Sequence, residues 1–360
     1  MMNKKVTFKD VAALAGVSTQ TVSRVTNGGK GVDPNTLKKV QEAIDTLGYV
    51  PNKGAQLLVQ KQVKVLGIIT LKMSMEGAMN IVEGVRLESK NQNYSIALTV
   101  VEQQEENLEE AIRELRSQQV AGIVINLGVS KKMAETLVTK HPQISFLFID
   151  VPTDTAVSQI SSNHQQGAQQ VVQHLLAQGH QHFGLLNGPQ NSWAAKQRKT
   201  TWEEEIKKAK QQIIVQAEGN WTAESGYTET LKMLQHPKKF SALLVASDQM
   251  ALGALRACAE QQIDVPVHLS VTGFDDTPDS AYYPPPLTTV KQNFLEIGKQ
   301  AVKTLLSQIH QENAISKKQI DLEFVERQST AKPNYAVTNT EEIKELLHKI
   351  HGLLPHISKP

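Results

Sequence analysis

The chain has 360 residues, enough for two or three domains with substantial cores, and a formal net charge of only +2. That balance is uneven: residues 1–61 hold nine Lys/Arg against four Asp/Glu, a net +5, and the remainder holds 29 against 32, a net −3. A basic head on a slightly acidic body suits binding a polyanion with one end, and a lone cysteine, Cys258, excludes an intrachain disulfide.

The opening MMNKKVTFKD has no apolar run behind its lysines, and no later run approaches membrane-spanning length. A soluble, cytoplasmic protein without a membrane partner is expected. From Thr7 the spacing predicts two short helices. Thr7 and Asp10 have capping-box spacing, Val11, Ala12, Leu14 and Ala15 supply an apolar face, and Gly16 permits a tight turn. Ser18 can cap the second helix, whose Val22 and Val25 face inward while Thr19, Gln20, Ser23 and Arg24 point outward. Such a pair is either a helical hairpin of some enzyme or a helix-turn-helix that lays its second helix in the DNA major groove. Asp33-Pro34 opens a third helix, with Leu37, Val40, Ile44 and Leu47 at helical spacing until Gly48. NKGAQLLVQK at 52–61 can form one further helix, marginal at that length and weakened by Gly54.

From Val63 the pattern alternates strand and helix. VKVLGIITL, YSIALTVV, AGIVINL and SFLFID form one series of apolar runs; HFGLLNG, QQIIVQAEG, SALLVASD and HLSVTGFDD form a second. Two such series predict an α/β fold with two doubly wound parallel sheets, and ligands bind such sheets beyond the strand C-termini. Asn126, Asp150, Asn187, Asp248, Asp275 and Asp276 stand at strand ends, where they can hydrogen-bond a polar ligand. Arg198 can add a forked donor set, and Trp221 or Phe294 can cover an apolar ligand face. Asp248 can equally serve only as a helix cap. In the tail, Ile343, Leu346, Ile350, Leu353 and Ile357 recur in 3-4-3-4 steps, a short heptad seam weakened by Gly352 and Pro355. There is no P-loop, no G-x-S-x-G elbow and no Cys/His zinc spacing; neither metal nor cofactor is expected.

The run DVAALAGVSTQTVSRVTN, with YVPN at Tyr49–Asn52, LLVASDQMALGALRA at 243–257 and GFDDTPDSAYYPPPLTTVKQNF at 273–294, closely resembles the lactose repressor/galactose repressor family of bacterial regulators. The resemblance spans nearly the whole chain. It implies a helix-turn-helix headpiece at 1–50, a hinge helix at 51–61, a two-lobed core like the periplasmic sugar-binding proteins at 62–335, and a tetramerisation tail at 336–360. It implies three crossings between lobes, near 161–163, 290–293 and 321–324. The DNA contacts implied are Thr7, Thr19, Gln20, Thr21, Ser23, Arg24, Asn27 and Asn52, with Leu58 as a leucine wedged into the minor groove. The sugar contacts implied are Met75, Ile81, Asn126, Asp150, Arg198, Trp221, Ser247, Asp248, Asp275, Gln292 and Phe294. Met75, Gly77, Ala78 and Ile81 rank lower, because an apolar helix start is more often plain core.

Departures from the resemblance point to a rebuilt pocket. Ser247 replaces an asparagine, Ser162 a phenylalanine, Ala194 a pocket serine, and Thr19 a tyrosine. The partners expected are double-stranded operator DNA, a small sugar inducer of the galactoside class and further copies of the chain, with a homotetramer favoured over a homodimer. The function expected is repression of a sugar-utilisation operon, lactose or another galactoside, without enzymatic activity. The alternatives are a family regulator whose ligand is a corepressor, one for a different sugar, an exported sugar receptor, or an enzyme using Asp150 and Asp275 as carboxylates.

Overall fold

The computed structural model describes residues 6–26, 31–50, 64–71, 75–101, 107–310 and 315–334, and the chain divides into two units, 1–63 and 64–360. In the first unit, α1 (Phe8–Ala15) begins where the Asp10 carboxylate accepts from both the Thr7 N–H (2.8 Å) and the Thr7 hydroxyl (2.7 Å). Gly16, at φ 66°, ends it in a left-handed turn that a side chain would disfavour. Ser18 then accepts from the Thr21 N–H at 3.1 Å and starts α2 (Thr19–Thr26). Asp33 caps α3 (Pro34–Leu47) through the Thr36 N–H at 3.0 Å. Val11, Ala12, Val22, Val40 and Ala43 form the buried centre of this unit, with Val25, Ile44 and Leu47 packed around it.

Two expected core positions are not core. Leu14 is 54 % exposed, because Val11, Ala12 and Ala15 define a stripe from which position 14 is turned by about 100°. Leu37 is 41 % exposed, and nothing in the structure explains its departure from the α3 stripe.

The second unit contains the two lobes. The N-lobe sheet runs β11-β5-β4-β3-β1-β2, all parallel, with β1 (Val65–Thr70), β2 (Ser95–Val100), β3 (Gly122–Asn126), β4 (Ser145–Ile149), β5 (Gln159–Ser162) and β11 (Lys317–Ile320). Its central strands are apolar throughout because helices cover both faces. Ile68 of β1 lies between Leu98 and Val124. One face carries α4 (Glu76–Asn91) and α11 (Phe294–His310); the other carries α5 (Leu108–Ser117) and α6 (Lys131–Lys140). Helices α4 and α11 meet backbone to backbone: a Cβ on Gly84 would strike the Leu295 carbonyl, and one on Gly298 the Ile81 carbonyl.

The C-lobe sheet runs β7-β6-β8-β9, also parallel, with β6 (His182–Asn187), β7 (Gln212–Glu218), β8 (Ala242–Val245) and β9 (Ser270–Thr272). Helices α7 (His164–Gln178), α8 (Trp193–Lys208), α9 (Ala223–Leu234) and α10 (Asp248–Glu260) enclose it around a core that includes Trp202, Phe183 and Phe274. This is the α/β, two-sheet architecture expected from the strand–helix alternation.

The chain passes between the lobe cores three times. Ile160 belongs to the N-lobe core and Ala168 to that of the C-lobe; Val290 and Ile297 are divided the other way, and Ile320 and Leu322 again. The crossings are stitched together. Asn163 Nδ2 donates to Asp321 at 3.1 Å, the Leu322 N–H donates to Gln166 at 2.9 Å, and β10 (Thr289–Lys291) pairs antiparallel with β12 (Glu323–Val325). No helix among the described residues is long and apolar enough to cross a membrane.

Candidate functional site

On α2, Thr19, Gln20 and Arg24 are exposed, Thr21 and Ser23 half-buried, and Val22 fully buried. At 100° per residue, Thr19, Ser23, Gln20 and Arg24 cover one continuous arc opposite Val22 and Val25. The helix therefore buries an apolar stripe and offers a polar one with a cation in its last turn. Thr7 is exposed and holds the α1 cap. Asn27, Asn52, Leu58, the hinge at 51–61 and the tail at 336–360 lie outside the described residues.

In the second unit, most of the candidate sugar contacts stand at strand C-termini or helix starts. Arg198 projects from α8 and is 4 % exposed. Its guanidinium carbon lies 3.9 Å from the centroid of the Phe274 ring and 5.5 Å from that of Trp221, contacts that favour a cation. One terminal nitrogen donates to the Ala246 carbonyl; the other lies 3.7 Å from Asp275 Oδ1. Burial lowers the Arg198 pKa, opposed by the carboxylates of Asp275, Asp150 and Asp248. Its Nε has no partner among the described residues.

Asp275 accepts from Gln292 Nε2 at 2.6 Å, and its backbone bridges to Val290 and Gln292 on the second crossing. Burial raises the Asp275 carboxyl above the ordinary carboxylate range, against the pull of Arg198; Asp248 and Glu76 add to the rise. Since Glu76 opens α4, the N-lobe helix start and Asp275 feel each other's charge.

Asp150, at the end of β4, reaches across to the other lobe. It accepts from the Ser192 hydroxyl at 2.9 Å and the Ala194 N–H at 2.6 Å, at the N-terminus of α8. Burial raises this carboxyl too, opposed first by the Ala194 N–H. Asp150, Trp221, Asp275 and Asp276 hold φ of 64°, 72°, 133° and 54°. Non-glycine residues in that region are uncommon, and such strain collects at functional sites. Trp221 is pinned in place, because a Cβ on Gly188 would run into its indole.

The remaining candidates are more committed to the fold. Ser247, not Asp248, caps α10, accepting from the Met250 N–H at 3.2 Å. The expectation that Asp248 could be the cap is therefore corrected. Asp248 is wholly buried and turns toward the β9–β10 loop, where Thr289 donates to Oδ1 at 2.5 Å and the Thr277 N–H to Oδ2 at 2.8 Å. Its carboxyl is likewise raised by burial. Asn126 is 6 % exposed and donates to Thr70 and the Ala78 carbonyl. Ile81 is 5 % exposed and sits in the N-lobe core, the bland reading of an apolar helix start. Phe294 opens α11 and packs on Gly77, where a Cβ would come within 2.9 Å of the ring; Met75 is the half-buried N-cap of α4. Asn187 donates to Gln216 at 3.3 Å, and Asp276 pairs with Arg327 at 2.6 Å.

Arg198, Asp275, Gln292 and Trp221 are thus brought into one cluster, with Asp150 in its field; Asn126, Met75, Ile81 and Phe294 belong to the N-lobe side. Two partners were not singled out from the sequence. Phe274, under Arg198, reads as strand interior in VTGFDD. Ser192 precedes Trp193 as an N-cap would, a signal that was available. The arrangement offers carboxylate acceptors, a forked cation and an aromatic face, the groups that bind a polyhydroxylated ring. Among the described residues no cluster of His, Cys, Asp and Glu could hold a metal ion.

Comparison with known proteins follows the same division. Residues 7–52 match the family described as bacterial regulatory proteins, lacI family, and residues 172–330 a periplasmic binding protein-like domain. The lactose operon repressor of Escherichia coli (strain K12) is 37 % identical over 358 residues, 99 % of this chain and 98 % of that protein. The lactose operon repressor of Klebsiella pneumoniae is 32 % identical over 98 % of this chain and 99 % of its own length. Among solved structures, the lac repressor dimer bound to operator and the anti-inducer ONPF superposes with a TM-score of 0.86 at 36 % identity, covering 91 % of this chain and 100 % of that one. An exposed polar α2, two parallel α/β lobes joined by three crossings, and likeness along nearly the full length together place the chain in the lacI family of bacterial regulatory proteins.

Proposed function

We propose that this DNA-binding, sugar-responsive repressor controls a galactoside-utilisation operon in the cytoplasm and leaves its operator when a galactoside enters the cleft. The observation that carries the proposal is the Asp275–Arg198 pair beyond the C-terminal ends of the C-lobe strands, with the guanidinium over the rings of Phe274 and Trp221. Two carboxylates, Asp275 and Asp150, accept sugar hydroxyls, Arg198 donates, and Trp221 covers an apolar face. Gln292 holds Asp275 against the second crossing, so a ligand that loads Asp275 also loads the connection between lobes.

At the other end, Thr19 and Gln20 read base edges and Arg24 reaches a guanine or a phosphate, while Thr7, Thr21, Ser23, Asn27 and Asn52 hold the backbone. Leu58 wedges the minor groove. The operator is palindromic and the working unit a homodimer, joined to a second dimer through 336–360. The chain is a regulator and not an enzyme. Ligand acts only through unequal affinity for the DNA-bound and released forms, and the coupling is reciprocal. Likeness to the two lactose operon repressors supports the galactoside class. Ser162, Ala194 and Ser247 make the preferred sugar differ in detail.

Gel shifts on the DNA upstream of the chain's own reading frame, with and without lactose, galactose and alkyl galactosides, test this directly. Loss of the shifted band on adding a galactoside supports the proposal. A band strengthened by ligand assigns a corepressor instead, and a band untouched by any galactoside refutes the sugar class.

A further inference from the structure

We infer that His164 is a ligand-contacting, specificity-determining residue of the cleft, meeting a hydroxyl of the bound sugar from the first crossing between the lobes. The inference rests on the sugar reading above and extends it to a residue that neither the motifs nor the strand ends single out.

His164 is the first residue of α7, two positions after β5 ends at Ser162. Its ring is half-buried and packs against Phe274, centroids 6.1 Å apart and planes tilted by 44°. Phe274 is the same ring that the Arg198 guanidinium covers at 3.9 Å. Imidazole and guanidinium therefore share one aromatic support, with the first on the crossing and the second on α8. The Nδ1 of His164 is buried and has no partner among the described residues. The Ser162 hydroxyl, two residues earlier, is buried and equally unpartnered, and so is Arg198 Nε. His164 Nδ1 and Arg198 Nε are thus two open polar atoms on side chains that share the Phe274 ring, and most buried polar groups find partners.

The chemistry of the missing partner follows from the charge state. Burial holds the His164 pKa well below the ordinary histidine value, and the positive charge of Arg198 adds to this. The ring sits at a helix N-terminus, which also disfavours a cation. A neutral imidazole presents one donor and one acceptor. A hydroxyl can satisfy either nitrogen, whichever tautomer is present. An anionic group would be drawn to Arg198 instead, and an ammonium group repelled by it. Neutral adjacent hydroxyls are what these open atoms fit.

The test uses the full-length chain and titration calorimetry with lactose, methyl β-galactoside and the monodeoxy analogues of the latter. His164→Phe keeps the packing on Phe274 and removes both ring nitrogens; His164→Asn places an amide near the position of Nδ1. The expected result is at least a tenfold loss of affinity in H164F, part of it restored in H164N, with operator affinity in the absence of sugar unchanged. One monodeoxy analogue should bind wild type and H164F equally, identifying the hydroxyl met. A second measurement needs no variant to fold: with ring-labelled histidine in the wild type, sugar should shift the signals of a neutral, buried imidazole. H164F binding every sugar as wild type does, or ring signals unmoved by a bound sugar, would show that Nδ1 faces only water or core and overturn the inference. A wild-type chain that binds none of these sugars overturns the galactoside reading, and this contact with a galactoside hydroxyl with it.

Discussion

Replacing Asp275 by asparagine separates ligand binding from the fold. The carboxylate has two neighbours, Gln292 Nε2 at 2.6 Å and Arg198 at 3.7 Å. An amide keeps one oxygen for Gln292 but turns an NH2 group toward the ligand or toward Arg198. A ligand hydroxyl that donated to the carboxylate then loses its acceptor, at a cost of about 1–3 kcal/mol. That corresponds to roughly 5- to 150-fold in affinity. Stranding a buried cation usually costs about 3–5 kcal/mol. Here Arg198 retains the Ala246 carbonyl, the faces of Phe274 and Trp221, and the charges of Asp150 and Asp248. The carboxyl removed was itself held above its ordinary range by burial. The loss of stability should therefore fall well short of that figure. Operator affinity without sugar should barely change, and fluorescence anisotropy of labelled operator against galactoside concentration should show release displaced to higher concentration by that factor, giving a variant that still represses at sugar concentrations that release the wild type. In wild type, sugar affinity should fall as acid protonates Asp275, and the variant should lose that dependence. Release of operator by D275N at the wild-type concentration would mean that Asp275 serves only the crossing it bridges.

Thr19→Tyr should move operator preference toward a lactose-type site, by about 1–3 kcal/mol at the base pair read; equal change on every operator variant in a competition gel would remove Thr19 from the base readers. Leu58→Ala should lower operator affinity and bending while sparing sugar binding, so unchanged mobility in a circular-permutation gel would refute the wedge. Removal of residues 338–360 should leave an operator-binding dimer that cannot loop two sites, and sedimentation giving the same mass before and after truncation would count against the tail. His180 makes acid the weak side of the C-lobe: burial lowers its pKa to about 4, with Ser241 and the Ala331 carbonyl at 2.8 and 2.9 Å. Between pH 4 and an unfolded value of about 6.5, the unfolded chain binds a proton that the native one refuses, so stability falls with pH across that window, by at most about 3 kcal/mol. His180→Gln should flatten this part of the urea-midpoint profile between pH 7 and 4.5; an unchanged slope would place the acid sensitivity elsewhere.

The local chain determined more of the fold than of the site. Caps at Thr7, Ser18 and Asp33 and left-handed glycines at 16 and 48 act within a turn or two, so the three-helix headpiece was legible residue by residue. Apolar runs such as GIVIN and SFLFI announced strands buried on both faces, because only helix-covered parallel sheets need no polar alternation. Lys317–Ile320 carries no such mark. Its KKQI is a strand because β5 offers an open edge, a fact about residues 159–162 and not about its own. Tertiary contacts likewise decided that Asp248 anchors Thr277 and Thr289, leaving the cap of α10 to its neighbour Ser247 in the same motif. They also decided that Asp150 reaches the start of α8 and that Phe274 carries Arg198. Hydrogen-bond partners and ring contacts far along the sequence leave no periodicity in the chain. A motif names the residues that can bind, and packing selects which of their atoms remain free to do so.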